Sequence, residues 1–538
     1  MMKNLFKLIA LIIISHSTFA QTAPFNIALE PVNIAGLGGL QSYAFGQHNN
    51  KWLIVGGRLD GLHRRQPFAS FDLAGHNNQL IVIDPVVKQM WVAPLTSLPI
   101  AIQEQLSSTN LQFFQEGDYL YCIGGYGYSA TLADHTTYPN LTAIKVSDVI
   151  NSIISNSNFT SFFRQITDTA FQVTGGKLRR IDNIYYLLGG QKFMGRYNPM
   201  GPSHGPGFIQ EYTNAIKKFT ISDNGTIITI NHLLNIVDSV NFHRRDYNAE
   251  SQILSNGNQG ITMFSGVFQY NIDLPFLNSV TVDSSSYSVN NTFQQYYNHY
   301  HCPVLPLYSA SNNQMHNVFF GGIAQYYDSA GVLVQDNNVP FTQTIARITR
   351  NSSGVLSEYK LPVEMPALIG AGAEFIPNEN VPHFSNGVLK LDSITNDTTL
   401  AGYIYGGISS TAKNIFWVNT GVESSASSQI FKVLLLQNNP LAQHKINEQG
   451  AGTLKMMVIP NPNNGIFEVK YYLKENGYAR VRLVNEEGKI LDDKIEKNKP
   501  RGEHIYHRKI KKLQNGGIYF ISIETDYEKA TQKIIVEP

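Results

Sequence analysis

The sequence predicts an all-β chain in two parts, a six-bladed β-propeller followed by a small immunoglobulin-like β-sandwich. Three observations lead there. A β-rich run ending in a small-residue pair recurs six times; the two ends of the repeating region carry matching stretches; and the charge density changes abruptly near residue 455.

The chain begins with Lys3 and Lys7 ahead of the apolar run Leu8 to Ile14, and Thr18-Phe19-Ala20 ends in small residues. That order predicts a signal peptide over 1–20, cleaved before Gln21. The run is short of the roughly 20 residues a bilayer span needs, and no other approaches that length, so no transmembrane span is expected in the mature chain.

From there to residue 436 the pattern repeats. Trp52-Leu53-Ile54-Val55-Gly56-Gly57 is followed by Leu120 to Gly125, Tyr185 to Gly190, Thr262 to Gly266, Val318 to Gly322 and Tyr403 to Gly407. Each run reads as the second of four strands. An inner strand precedes it, as in Leu111 to Glu116 and Phe171 to Thr174. A third follows a long loop, as in Leu80 to Asp84 and Ala215 to Ile221, and a fourth closes the unit, as in Met90 to Pro94 and Leu356 to Leu361. The sixth unit lacks a fourth strand of its own. Leu361-Pro362-Val363, however, has a near copy in Glu30-Pro31-Val32, so residues 26 to 32 are expected to complete blade six. A ring closed in this way leaves no open sheet edge.

The stretch 437–454 is polar with Pro440, Gly450 and Gly452, and reads as a linker. In 455–538, 28 of 84 residues are charged, against 53 of the preceding 454. Seven short alternating segments separated by turn residues predict the sandwich there.

Composition narrows the function. Lys+Arg total 41 and Asp+Glu 40, a formal net charge of +1, and only 15% of residues are charged. No field for nucleic acid is expected. Two cysteines exclude a disulfide scaffold and a four-cysteine zinc site; Cys122 and Cys302 are expected to be buried free thiols. His299 and His301 have the spacing of two imidazoles on one side of a strand, but no carboxylate accompanies them, so neither metal nor cofactor is expected.

Two resemblances follow from these motifs. The glycine pairs, with Asp84-Pro85 followed by Trp91, resemble kelch-repeat propellers over residues 25 to 436; the chain departs from the family in lacking that Trp in later blades and in carrying Ser265-Gly266 in blade four. Pro460, Asn461, Pro462, Gly465 and Phe467, the central Val484 to Lys489, Gly517 and Tyr519, and a terminal Lys533 to Val536 resemble the type A C-terminal sorting domain of type IX (Por) secretion. That resemblance implies contact with the secretion machinery and passage across the outer membrane of a Bacteroidetes-type bacterium. The tail is then cut off or used for surface attachment.

Candidate binding residues sit in two places. The long loops between second and third strands share one face of the ring and carry Arg64, Arg65, Arg196 and Trp417. The channel entrance carries His243, Arg244, Arg245 and His301 at the start of inner strands, expected to converge near the axis with Glu250 and Glu374. Arg forks there suit carboxylates on sugars or peptides. A sialic-acid mutarotase-like site would use a channel Arg and a carboxylate, the parts Arg244 and Glu250 would play. No nucleophile elbow, phosphate loop or zinc-protease motif is present, and no catalytic residue is assigned. The expected role is non-covalent binding of an extracellular protein or glycan. The alternative is a carbohydrate-active enzyme, an epimerase, lyase or glycosidase, with its site at the channel mouth.

Overall fold

Six sheets, each built round four antiparallel strands, succeed one another along the chain in a computed structural model. It describes residues 24–437 apart from 67, 200–206 and 330–331, and residues 454–536 apart from 455, 462, 486–488, 510–516 and 526–528. The expected signal peptide and most of the linker lie outside these residues. The chain divides into two compact units, 1–439 and 440–538.

Blade one runs Ala44–His48, Lys51–Val55, Gln79–Asp84 and Gln89–Pro94, and blades two to five repeat this order. Blade six takes Ala373–Pro377, Thr398–Gly406 and Ile430–Gln437 from the end of the unit and Phe25–Val32 from its beginning. The last two pair antiparallel from Phe25↔Gln437 to Val32↔Ile430, so the first and last strands close the ring. Six separate apolar cores fill the six gaps between neighbouring blades, the gap between six and one included. Strands buried on both faces explain the low charge fraction of this part of the chain.

The glycine pairs make this packing possible. Gly124 has φ +65°, and a Cβ on it would stand 1.9 Å from the Val173 carbonyl oxygen of the next blade. In blade four, Ser265 takes up the same left-handed backbone at φ 50° and is fully buried, its hydroxyl donating to the Phe276 carbonyl at 2.7 Å. The fold therefore tolerates that departure by giving the serine a local acceptor.

One strand assignment needs correction. The inner strand of blade three is Lys177–Ile181, not Phe171 to Thr174. Asp168 caps a 3₁₀ turn at Thr169–Phe171 by accepting from the Ala170 amide at 2.9 Å, which bends that segment out of the strand. Helices also interrupt the pattern, at Ile100–Leu106 and Val146–Ile154. In the second, Val146, Val149, Ile150 and Ile153 recur at helical spacing and bury one face in the core of blades one and two.

Around the axis the inner strands begin on a belt of hydrogen bonds. Ser42 N donates to Gly372 O (2.7 Å), Asn110 N to Ser42 O (3.0 Å), Asp246 N to Gly175 O (2.7 Å), His301 N to Asp246 O (3.0 Å) and Gly372 N to His301 O (2.9 Å). The Thr174 hydroxyl to Asn110 O, at 3.3 Å, completes the circle. Ser42, Asn110, Gly175, Asp246 and Gly372 all have positive φ, turning each carbonyl towards its neighbour.

The second unit is a sandwich of a three-stranded and a four-stranded sheet around its own core, and its seven strands fall where the sequence places them. Its motif residues fasten the terminal strand. Asn461 pairs with one edge of that strand, donating to Lys533 O and accepting from Ile535 N, each at 2.8 Å. Asn463 N donates to Ile535 O at 3.0 Å, Gly465 turns the chain at φ 88°, Phe467 is core, and Tyr519 packs on it. Pro460 follows a cis bond, and Gly517 opens its strand opposite Val536. Pro462 lies outside the described residues.

Candidate functional site

The belt divides the axis. Above it, on the face of the long loops, opens a cavity of about 670 Å³; below it lies a void of about 20 Å³. Ser42, Asn110, Asp246 and His301 line both.

The glycine pair sets which residues look into the cavity. Arg58, Tyr126, Gln191, Ile323 and Ile408, each directly after its pair, line the wall, with Phe268 one position later in blade four. On one side the wall is raised: the blade-two strand Tyr119–Ser129 continues past its glycines and pairs with Asp134–Thr137. That strand joins the hairpin of Gln191–Gly195 and Phe208–Tyr212 from blade three. Phe208, Gln210 and Tyr212 alternate along the last strand and all face the cavity.

Five predicted residues line the cavity: Arg65, His243, Arg245, Trp417 and, at the belt, His301. Arg245 donates from Nε to Tyr212 Oη at 3.2 Å, pairs with Asp246 through Nη1 and lies over the Phe268 ring at 5.1 Å. Burial disfavours its charge, but Asp246 outweighs that and holds it protonated. His243 stacks on Tyr212 with centroids 3.6 Å apart and touches Tyr270 edge-on at 5.4 Å; burial, and then Arg245, lower its pKa. Arg65 and Trp417 meet at the rim, the guanidinium 4.3 Å from the ring centroid. His63, not anticipated, is also in the wall, and burial pushes its imidazole down to about 4.

Other predicted residues are elsewhere. Arg244 is fully buried: its Nε donates to Asn241 O (2.6 Å), Nη1 to Ser265 O (2.7 Å) and Nη2 to Asn278 Oδ1 (2.5 Å). Being next to Arg245 in sequence, it projects to the opposite side and braces blade four, so no mutarotase-like pairing with Glu250 forms. Glu250 lies below the belt and takes both oxygens to Arg179 Nη2 at 3.0 Å. Glu374 also lies below, 2.7 Å from His301 Nε2 and 3.8 Å from Lys177 Nζ. The first contact has ion-pair distance without hydrogen-bond direction. Burial alone would raise the Glu374 carboxyl, yet Lys177 and His301 together hold it down at about 2. Arg196 braces the blade-one loop through Ser70 O (2.8 Å), and Arg64 packs beside Gly421; neither lines the cavity.

His299 is fully buried and satisfied, its ring nitrogens paired with Gln295 O (2.8 Å) and Gln325 N (3.0 Å). Among the described residues no group of three metal-ligating side chains converges. Cys122 and Cys302 are buried and free.

Tyr212, Tyr270 and Phe268 were not singled out by the sequence. For Phe268 the usable signal was the register counted from the glycine pair; Tyr212 and Tyr270 lie beyond its reach.

No curated protein matches the chain. Among solved structures it is similar to that titled "Structure of YjhT", at 10% identity over 74% of this chain and 98% of that one, with a TM-score of 0.41. It is also similar to the Bombyx mori GH32 beta-fructofuranosidase BmSUC1, at 8% identity over 95% and 89%, with a TM-score of 0.26. Neither likeness bears on the site. Residues 457–537 match the secretion system C-terminal sorting domain family, which supports export by type IX secretion to the cell surface or beyond.

Proposed function

We propose that this is an exported kelch-type propeller whose cavity above the belt binds an extracellular protein or glycan without transforming it, and whose tail engages the type IX machinery. The cavity carries the reading. It is of small-ligand size, closed at the bottom by the belt and walled by aromatic rings and amides on loops of all six blades. The carboxylates below the belt are committed to Arg179, Lys177 and His301, which favours binding over acid–base chemistry by Glu250 or Glu374.

The test is an array of extracellular glycans and matrix proteins probed with the secreted chain and its Tyr270→Ala variant. Binding that Tyr270→Ala weakens supports the proposal. Binding indifferent to it contradicts the site, and turnover of the bound glycan favours the enzyme alternative. For the tail, deleting residues 455–538 is expected to trap the chain in the periplasm; unchanged surface delivery would contradict that part.

A further inference from the structure

The choice between protein and glycan rests on what the rim and the charges of the cavity ask of a ligand, and it deepens the binding proposal above. Trp417 is 62% exposed, unlike Trp52, which is buried. It is nevertheless held. Arg65 covers its ring at 4.3 Å and donates from Nη1 to its carbonyl at 3.0 Å. The neighbouring Phe416 stacks on Phe341 at 5.9 Å and 18°. Asn419 Nδ2 donates to Leu62 O (2.7 Å) and His63 O (3.0 Å), and Leu62 N donates to Ser424 Oγ (2.9 Å), so the loops of blades six and one are clasped together. A flat ring with one face on a cation and its loop already ordered offers the other face at little entropic cost.

The cavity is also electrically balanced. Three arginines line it, Arg58, Arg65 and Arg245; two of them carry a carboxylate partner and Arg65 is held by Trp417. Arg58 is bidentate to Asp60 at 2.6 and 2.5 Å, Arg245 pairs with Asp246, and Asp273 lies in the wall. His63 and His243 both have lowered pKa values and stay neutral at pH 7. Amides supply the remaining polarity, among them Gln191, Gln210, Gln269, Asn337 and Asn338. Amides match hydroxyl groups, which donate and accept as amides do. An anionic ligand would meet Arg58 and Arg245 already paired with Asp60 and Asp246.

From this we infer that the cavity takes a neutral sugar, stacked by its apolar face on Trp417 and read by the amides of the wall. Small-ligand dimensions and a closed floor fit a saccharide end better than a folded protein surface.

The experiment uses the whole secreted chain with lactose, cellobiose, mannobiose and N,N′-diacetylchitobiose as neutral probes. Sialyllactose and digalacturonate are the acidic ones. Binding is followed by tryptophan fluorescence and calorimetry at 50 and 500 mM NaCl. At least one neutral probe is expected to bind with less than about a twofold change over that salt range. Trp417→Ala is expected to weaken it about tenfold and Trp417→Phe to restore most of the loss. The melting temperatures of both variants should equal that of the parent.

Selective, salt-sensitive binding of the acidic probes would overturn the inference of neutrality. Neutral binding indifferent to Trp417→Ala would overturn the stacking role while leaving the cavity as the site. Binding of proteins alone would overturn the sugar and keep the cavity, and no binding to glycan or protein would overturn both proposals.

Discussion

Above and below the belt, the same inner strands build two chambers of opposite character. Arg245 and Asp246 open into a wide cavity beside aromatic rings. Glu250, on the inner strand Asn248–Ile253 that follows them, is closed off with Arg179. In the upper chamber charges are paired along the wall and leave room at the centre. In the lower one Lys177, Arg179, Glu250, Glu374 and His301 fill the axis with each other. The difference separates recognition from architecture: ionisable side chains on an axis indicate a site only where space remains for a ligand.

The largest expected effect tests the lower chamber. Glu374→Ala leaves Lys177 and His301 without their carboxylate and should cost about 3 kcal/mol of stability, since breaking a buried pair strands its partner. Thermal and urea unfolding measure it, and a loss under about 0.5 kcal/mol would erase the contrast between chambers. Lys177→Met combined with Glu374→Leu should recover much of that loss.

Acid should reproduce the effect. The folded pKa of Glu374, about 2, lies below the ordinary 4.5, so its contribution is complete above pH 4.5 and lost as pH falls towards 2. The stability difference between the parent and Glu374→Gln should therefore be constant from pH 5 to 8 and shrink in unfolding curves at pH 3. A difference that grows at pH 3 would contradict the assignment.

Arg244→Met should cost about 2 kcal/mol through the acceptors it leaves unpaired, and change ligand binding not at all. A binding defect at normal stability would return Arg244 to the site.

The smallest effect sharpens the upper chamber. Asp246→Asn frees the Arg245 charge, so acidic sugars should gain a few-fold affinity that salt removes, with little change for neutral ones. Isothermal titration at two salt concentrations measures it.

Much of the fold was legible because backbone constraints repeat. The six small-residue pairs mark the blades, and Glu30-Pro31-Val32 betrays the closing strand by likeness to Leu361-Pro362-Val363. The helix at Val146–Ile154 was missed although its apolar residues have helical spacing, because the strand Asn140–Lys145 runs directly into it. The site was read less well for two physical reasons. Proximity along an inner strand hid the belt between Asp246 and Glu250, which positive φ at Asp246 creates. Aromatic residues were so frequent, with 28 Tyr and 29 Phe, that Tyr212 and Tyr270 stood out from nothing until the fold brought them to the wall.

The division between recognition above the belt and architecture below it is tested most directly by two variants measured side by side. Trp417→Ala and Glu374→Gln would each be assayed for melting temperature and for binding of the best neutral saccharide. The account predicts that Trp417→Ala loses binding at unchanged melting temperature, and that Glu374→Gln melts lower while binding as the parent does. Loss of binding in Glu374→Gln with Trp417→Ala unaffected would place the ligand below the belt and contradict it.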